Sequence, residues 1–260
     1  MLGAVLLAAR AALLSGAGRI YATFLSNQAP SVDLYHPEIM LRSPAELVRL
    51  YQLESLQLNC VVIGPGLGKS TIALELLEFW LNQNITMLLD ADALNLIALH
   101  PHLRVMTKNR QAETVITPHL GEAARLLTDS AEHIQQNRTE SALKLANALQ
   151  LTCVLKGAGS ICAHHDGNWF INTSGNPGLA SGGTGDVLSG IIGSLIAQGL
   201  SGLEAAKLGV YVHGAAADAL VTKGLGPVGL SASELAAEVR KIINQGGFKV
   251  EVQKEQHDAA

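Results

Sequence analysis

Apolar residues fall along this chain in two rhythms. Short unbroken runs, CVVI at 60–63, TMLL at 86–89, TVI at 114–116 and TCVL at 152–155, read as strands buried on both faces. Between them lie longer segments whose apolar positions return every three to four residues, as on one face of a helix. These helices are expected over Ser70 to Leu81, over Ala91 to Leu99 with Pro101 as the stop, from Thr117-Pro118 through Leu127, and over Ala131 to Leu149. Nearer the start, Gly3 to Leu14 is an Ala/Leu-rich buried helix closed by Ser15-Gly16-Ala17-Gly18, Arg19 to Phe24 a strand, and Ser43-Pro44 the opening of a helix to about Leu53. Two strand-like pieces flank Asp166-Gly167, a hairpin signal. Helices follow over Thr184 to Gln198, Ser201 to Val221 and Ser231 to Ile243. The fold class is therefore α/β, a mostly parallel sheet covered by helices on both faces with an antiparallel edge hairpin. Residues 1–245 are expected to form one domain, and 246–260 a polar tail that frays.

Composition narrows the function. Of the 260 residues, 48% are hydrophobic and 15% charged, enough apolar material for a sizeable core. A net charge of −4 and no Lys/Arg-rich run leave no footprint for nucleic acid. The N-terminus is apolar but lacks a basic leader, Arg10 interrupts it, and no stretch reaches the roughly 20 residues of a membrane span. The three cysteines, Cys60, Cys153 and Cys162, lack metal spacing and read as buried thiols in a reducing cytoplasm.

In an open α/β sheet, ligands sit beyond the carboxyl ends of the strands, so the residues that follow each strand carry the chemistry. VVIGPGLGKST at 61–71 imitates a phosphate-binding P-loop, but Gly64 falls one position too late for that spacing. The strongest signal is NTSGNPGLASGGTGDVLSGII at 172–192. Its glycines lead into the start of an apolar helix, whose unsatisfied N–H groups and dipole favour an anion. Asp186 in the first turn is placed to act as a base near a bound phosphate; the alternative is a capping Asp behind a structural loop. Lys156 follows a buried strand and, with Gly157, Ala158, Gly159 and Ser160, offers a point charge and backbone donors to phosphate oxygens. In TPHLGE, His119 and Glu122 share one face of a helix start, where the carboxylate could orient water around Mg²⁺. DADALN places Asp90 at a strand end, in a role that is at least as readily structural. His164 and His165 face opposite ways, and His213 in an apolar helix reads as packed.

Together GAVLLAARAALLSGAG, IGPGLGKS, LDADALNLI, TPHLGEAARL, VLKGAGS, GNPGLASGGTGDVLSGII and YVHGAAAD resemble, over nearly the whole chain, the ribokinase-like superfamily and within it the ADP/ATP-dependent NAD(P)H-hydrate dehydratases. The resemblance implies a three-layer α/β/α sandwich. It also implies repair of the S epimer of hydrated NADH or NADPH: phosphorylation of the ring hydroxyl, then loss of phosphate, with ADP in typical bacterial members and ATP in eukaryotic ones. It makes Asp186 the catalytic base. The turn of Lys156, Gly157, Ala158, Gly159 and Ser160 and the segment carrying Asn176, Gly182, Gly183, Thr184 and Gly185 become the nucleotide site, and Ala4, Gly66, Gly68, His119 and Asp186 line the site of the hydrated dinucleotide. Glu122 would support Mg²⁺ through water, and the protein would be a homo-oligomer, a tetramer. Family members usually carry a strand and a Gly-rich loop before the position of Gly3-Ala4, so one wall of the site is expected outside this chain. Leu120, Leu179 and Ser160 stand where Pro, Met and Thr are common. Two other readings are a small-molecule kinase of the same superfamily, for hydroxyethylthiazole, a pyrimidine or a sugar, and a nucleotide-binding protein that has lost catalysis.

Overall fold

The computed structural model describes residues 2–26 and 28–246. In chain order its elements are α1 (Leu2–Leu14), β1 (Tyr21–Thr23), β2 (Met40–Arg42), α2 (Pro44–Gln52), β3 (Cys60–Ile63), α3 (Thr71–Leu81), β4 (Thr86–Leu89), α4 (Asp92–Leu99), α5 (Pro101–Lys108), β5 (Thr114–Ile116), α6 (Leu120–Leu127), α7 (Ala131–Gln136), α8 (Arg138–Leu149), β6 (Thr152–Leu155), β7 (Ile161–His164), β8 (Trp169–Ile171), α9 (Thr184–Ala197), α10 (Gly202–Thr222) and α11 (Ala232–Gln245). The tail expected beyond Gly246 lies outside the described residues.

Strands β3 to β8 form one sheet in sequence order, parallel from β3 to β6 and antiparallel across β6–β7–β8. This is the α/β architecture with a mostly parallel sheet and an antiparallel hairpin. The period of two sorts side chains between two cores. Met87, Leu89, Ile116, Cys153 and Leu155 point into one core with α3 and α4, while Leu88, Val115, Val154 and Cys162 point into the other with α9, α10 and α11. Helices thus cover both faces, in three layers.

Some boundaries differ from expectation for local reasons. Pro101 does end α4, but it also opens α5, since the first helical position has no N–H bond to lose. The long helix expected over 131–149 breaks at Asn137, whose backbone (φ −125, ψ 47) is not helical. Thr117 and Pro118 precede α6 instead of starting it, because His119 is the cap. β2 pairs with β1 in a separate two-stranded sheet, and its three residues carry no readable alternation. Arg10, which interrupts the apolar run of α1, forks onto both carboxylate oxygens of buried Asp33 at 2.7 Å, tying α1 to the segment after β1.

β3 is an outer strand of the larger sheet. Along it runs a groove of about 500 Å³, lined by Val5 and Ala9 of α1, Tyr21 of β1, Val61 of β3, and Gly66 and Leu67 of the turn that follows.

Candidate active site

Four chain positions directly after β3, β4, β5 and β6 form a row at the carboxyl edge of the sheet: Gly64, Asp90, Thr117 and Lys156. Gly64 (φ +127) brings the first turn against the second, since a Cβ there would lie 1.7 Å from the Asp90 carbonyl oxygen. Asp90 is 1% exposed, and both of its carboxylate oxygens are engaged. Oδ1 accepts from Lys156 Nζ at 2.7 Å, and Oδ2 accepts from Ser189 Oγ of α9 at 2.7 Å. Thr117, between them in the row, keeps a buried hydroxyl without a hydrogen-bond partner.

Asp186 stands in the first turn of α9, one helical turn before Ser189. Burial, then the charge of Asp90, pushes its carboxyl up to about 6, while Lys156 acts in the opposite sense. Gly183 (φ +88) caps the helix, and Gly185 leaves the space in which Lys156 lies, with Nζ 3.4 Å from where a Cβ would stand. The Thr184 hydroxyl donates to the carbonyls of Leu179 and Ser181 at 2.8 and 3.0 Å, so it fastens the 3₁₀ turn Pro177–Ala180 against the helix start. Asn176 donates to Asp218 of α10 at 2.9 Å, and its own oxygen accepts from Gly178 N–H. Gly182 has open space around its Cα. The glycine-rich segment is therefore pinned at both ends and open in its middle.

The turn of residues 156–160 is shaped from beneath by Arg138 of α8. Its guanidinium donates to the carbonyls of Leu155 and Ala158, and a Cβ on Gly157 (φ +151) would meet it at 2.8 Å. Gly159 (φ +66) completes the turn, and Ser160 holds it through its hydroxyl to Gly157 O and its carbonyl to Asn172 N–H.

His119 and Glu122 share one face as expected, but they are turned on each other. His119 Nδ1 accepts from Gly121 and Glu122 N–H, its Nε2 lies 3.2 Å from Glu122 Oε1, and Glu122 Oε2 accepts from His119 N–H. Burial pushes the Glu122 carboxyl upward, yet the His119 donors and the Lys156 charge outweigh it and hold the group below its usual range. Glu122 is thus a buried anion within the field of Lys156, while the His119 ring stays half exposed. Of the remaining candidates, Ala4 is buried in α1, Gly66 lines the groove beside β3, and Gly68 N–H donates to Asp92 Oδ2 at 2.8 Å. Asp186, Asp90 and Lys156 stand apart from the lining of that groove, on the open edge of the sheet. Among the described residues no group of three His, Cys, Asp or Glu side chains could hold a metal directly.

Sequence reasoning underweighted Asp90 and missed Ser189, Arg138 and Asp218. The first had a signal, a carboxylate directly after a buried strand. The others sit inside helices, where only the tertiary fold brings them to the edge.

A family model described as NAD(P)H-hydrate dehydratase matches residues 1–241. The chain belongs to that family. It is 38% identical over 248 residues to the ADP-dependent (S)-NAD(P)H-hydrate dehydratase of Neisseria meningitidis, covering 94% of this chain and 82% of that protein. It is 40% identical over 242 residues to the bifunctional NAD(P)H-hydrate repair enzyme Nnr of Coxiella burnetii, covering 93% of this chain and 48% of that protein. The chain therefore spans about half the length of the bifunctional relatives. Among solved structures, the ADP/ATP-dependent NAD(P)H-hydrate dehydratase of Bacillus subtilis, co-crystallised with ATP/Mg²⁺, superposes with a TM-score of 0.79 at 29% identity, over 94% of this chain and 85% of that one. A hydroxyethylthiazole kinase of Pyrococcus horikoshii, at 16% identity and a TM-score of 0.62 over 93% of this chain and 94% of that one, shares the fold.

Proposed function

We propose that the protein is an ADP-dependent (S)-NAD(P)H-hydrate dehydratase. The observation that carries this reading is Asp186, half-buried in the first turn of α9 behind a glycine-rich run, with its carboxyl raised to about 6 and the Lys156 ammonium beside it. Asp186 takes the proton of the ring hydroxyl, which attacks the terminal phosphate of ADP. The N–H groups at the start of α9 face the charge that develops on that phosphate. The bond from that phosphorus to the bridging oxygen breaks and AMP departs. Hydroxide is a poor leaving group and phosphate a good one, so the phosphorylated ring then loses phosphate and a ring proton, which restores the reduced nicotinamide. In this reading the turn of residues 156–160 and the segment from Asn176 to Gly185 hold the nucleotide. Ala4, Gly66, Gly68 and His119 face the hydrated dinucleotide. A Mg²⁺ carried on the phosphates would have its water oriented by the Glu122 anion. The ion supplies charge neutralisation.

Purified protein given hydrated NADH, ADP and Mg²⁺ should show absorbance rising at the reduced-nicotinamide wavelength, with one AMP per NADH. Stable phosphate on a vitamin precursor, with no such rise, would assign it to the small-molecule kinases instead. We also infer a homo-oligomer, a tetramer in keeping with the resemblance. Trp169, Phe170 and Ile171 on the outer strand β8 are all exposed, as is Tyr211 of α10, an apolar surface for a second copy to cover. Light scattering on the purified protein reads the mass, and a monomer would refute the assembly. No described helix is long and apolar enough to cross a membrane, and three unpaired cysteines suit a reducing cytoplasm.

A further inference from the structure

Asp90, ion-paired with Lys156 at the carboxyl edge, has no part in the reaction above. The pair reaches from the end of β4 to the end of β6, passing over the end of β5 and its unpartnered Thr117 hydroxyl. Lys156 is not at rest on a single partner. Its ammonium bonds Asp90 and also acts on Asp186 and Glu122, so one cation serves three carboxylates. Buried His213 of α10 lies within its field, and burial pushes that imidazole down to about 4, so it adds no positive charge at neutral pH. Among the described residues, the ionisable groups acting on Asp186 are Asp90, Lys156 and Asp92. The same Lys156 is the first residue of the turn assigned to nucleotide, where an arriving diphosphate competes for it.

We propose that Asp90 is a positioning residue that works through Lys156. With the nucleotide site empty it parks the ammonium beside Asp186, and a nucleoside diphosphate bound at residues 156–160 draws the ammonium onto its phosphates, coupling nucleotide binding to proton binding at Asp186. The inference rests on the nucleotide-dependent reading above. Once Lys156 turns away, Asp90 keeps only the Ser189 hydroxyl, and Asp186 faces Asp90 and Asp92 without the Lys156 charge. Both changes strengthen Asp186 as a base when the phosphoryl donor is in place. Before that, the ion pair holds the base weaker.

The test is calorimetry of ADP binding with Mg²⁺ at pH 7, in buffers of different ionisation enthalpy, which counts the protons exchanged. The titration of ADP itself is common to wild type and Asp186→Asn, so their difference reports Asp186. Wild type should take up more protons, by roughly a few tenths per site. Asp90→Asn keeps the shape and an acceptor for Ser189 but releases the ammonium. ADP should then bind roughly 3- to 10-fold tighter, with KM for ADP and kcat falling together and the acid limb of the pH profile moving down. Equal proton uptake in wild type and Asp186→Asn, or weaker ADP binding in Asp90→Asn, overturns the proposal. The first comparison needs no Asp90 variant, so a poorly folding Asp90→Asn does not rescue it. If ADP binds with the expected uptake but hydrated NADH is not turned over, the coupling stands and the dehydratase reading falls. Turnover without the uptake difference gives the converse.

Discussion

Asp186→Asn should lower kcat by about 10²- to 10⁴-fold, the usual contribution of a positioned general base, while ADP still binds. Asn has the same shape but cannot accept the hydroxyl proton, and the base acts only as the bond to phosphorus forms. Wild-type kcat/KM should accordingly climb with pH through about 6, where Asp186 ionises in the folded protein. The same shift predicts a stability change. The folded carboxyl titrates above its ordinary value of 3.8, so its contribution to stability is fully present below about pH 4 and is lost as pH rises through about 6. A neutral Asn escapes that loss. At pH 7 Asp186→Asn should be more stable than wild type by about 1–2 kcal/mol, after discounting for the half-exposed position, and the gain should vanish below pH 4. Thermal melts at the two pH values, beside single-turnover rates, check both halves. Near-normal turnover would remove Asp186 from its role, and a lower Tm at pH 7 would show that its ionised form is needed for folding.

How much of this was legible beforehand depends on how local each cause is. The parallel core of the sheet was readable because CVVI, TMLL, TVI and TCVL are self-contained apolar runs, and the hairpin because Asp166-Gly167 is a turn by its own chemistry. The start of α9 at Thr184 was readable where the glycine run meets an apolar helix, but the 3₁₀ turn Pro177–Ala180, held by Thr184 bonding backward to Leu179 and Ser181, is a tertiary detail of a glycine-rich stretch that carries no periodicity. His119 and Glu122 were placed on the right face, but their mutual capping box depends on a side-chain choice that spacing cannot reveal. Lys156 was legible as a cation at a strand end. Its partner was not, because Asp90 lies 66 residues earlier and meets it only once β5 has been laid between them. Helix-borne Ser189 and Arg138 act across layers, so their roles appear only when α9 and α8 are packed on the sheet.

Gly190→Ala should destabilise the protein by at least about 2 kcal/mol, although alanine is the better helix former by about 1 kcal/mol. The contest is decided by what the added methyl meets. A Cβ on Gly190 would lie 2.0 Å from the Ala8 carbonyl oxygen and 3.0 Å from Ala11 Cβ. These belong to α1, whose buried face is built from Ala4, Ala8, Ala9 and Ala11, so at Gly190 the two helices are in backbone contact. No rotamer change can move a carbonyl, hence α1 itself must shift away from α9. The neighbouring Gly193 leaves no room to absorb that shift by rotation, since a Cβ there would sit 2.4 Å from Val62 Cγ2 of β3. For a domain of this size the loss corresponds to a Tm fall of about 4–8 °C. Gly3→Ala on α1, where an added Cβ meets nothing within 4 Å, should instead leave Tm unchanged or raise it. Displacing α1 also moves Ala4 and Leu7, and a Cβ on Gly183 would meet Leu7 Cδ1 at 2.6 Å. Activity of Gly190→Ala measured well below its own Tm should therefore fall too, through a misplaced start of α9. A Tm equal to wild type would mean that the α1–α9 contact yields more easily than its backbone geometry allows.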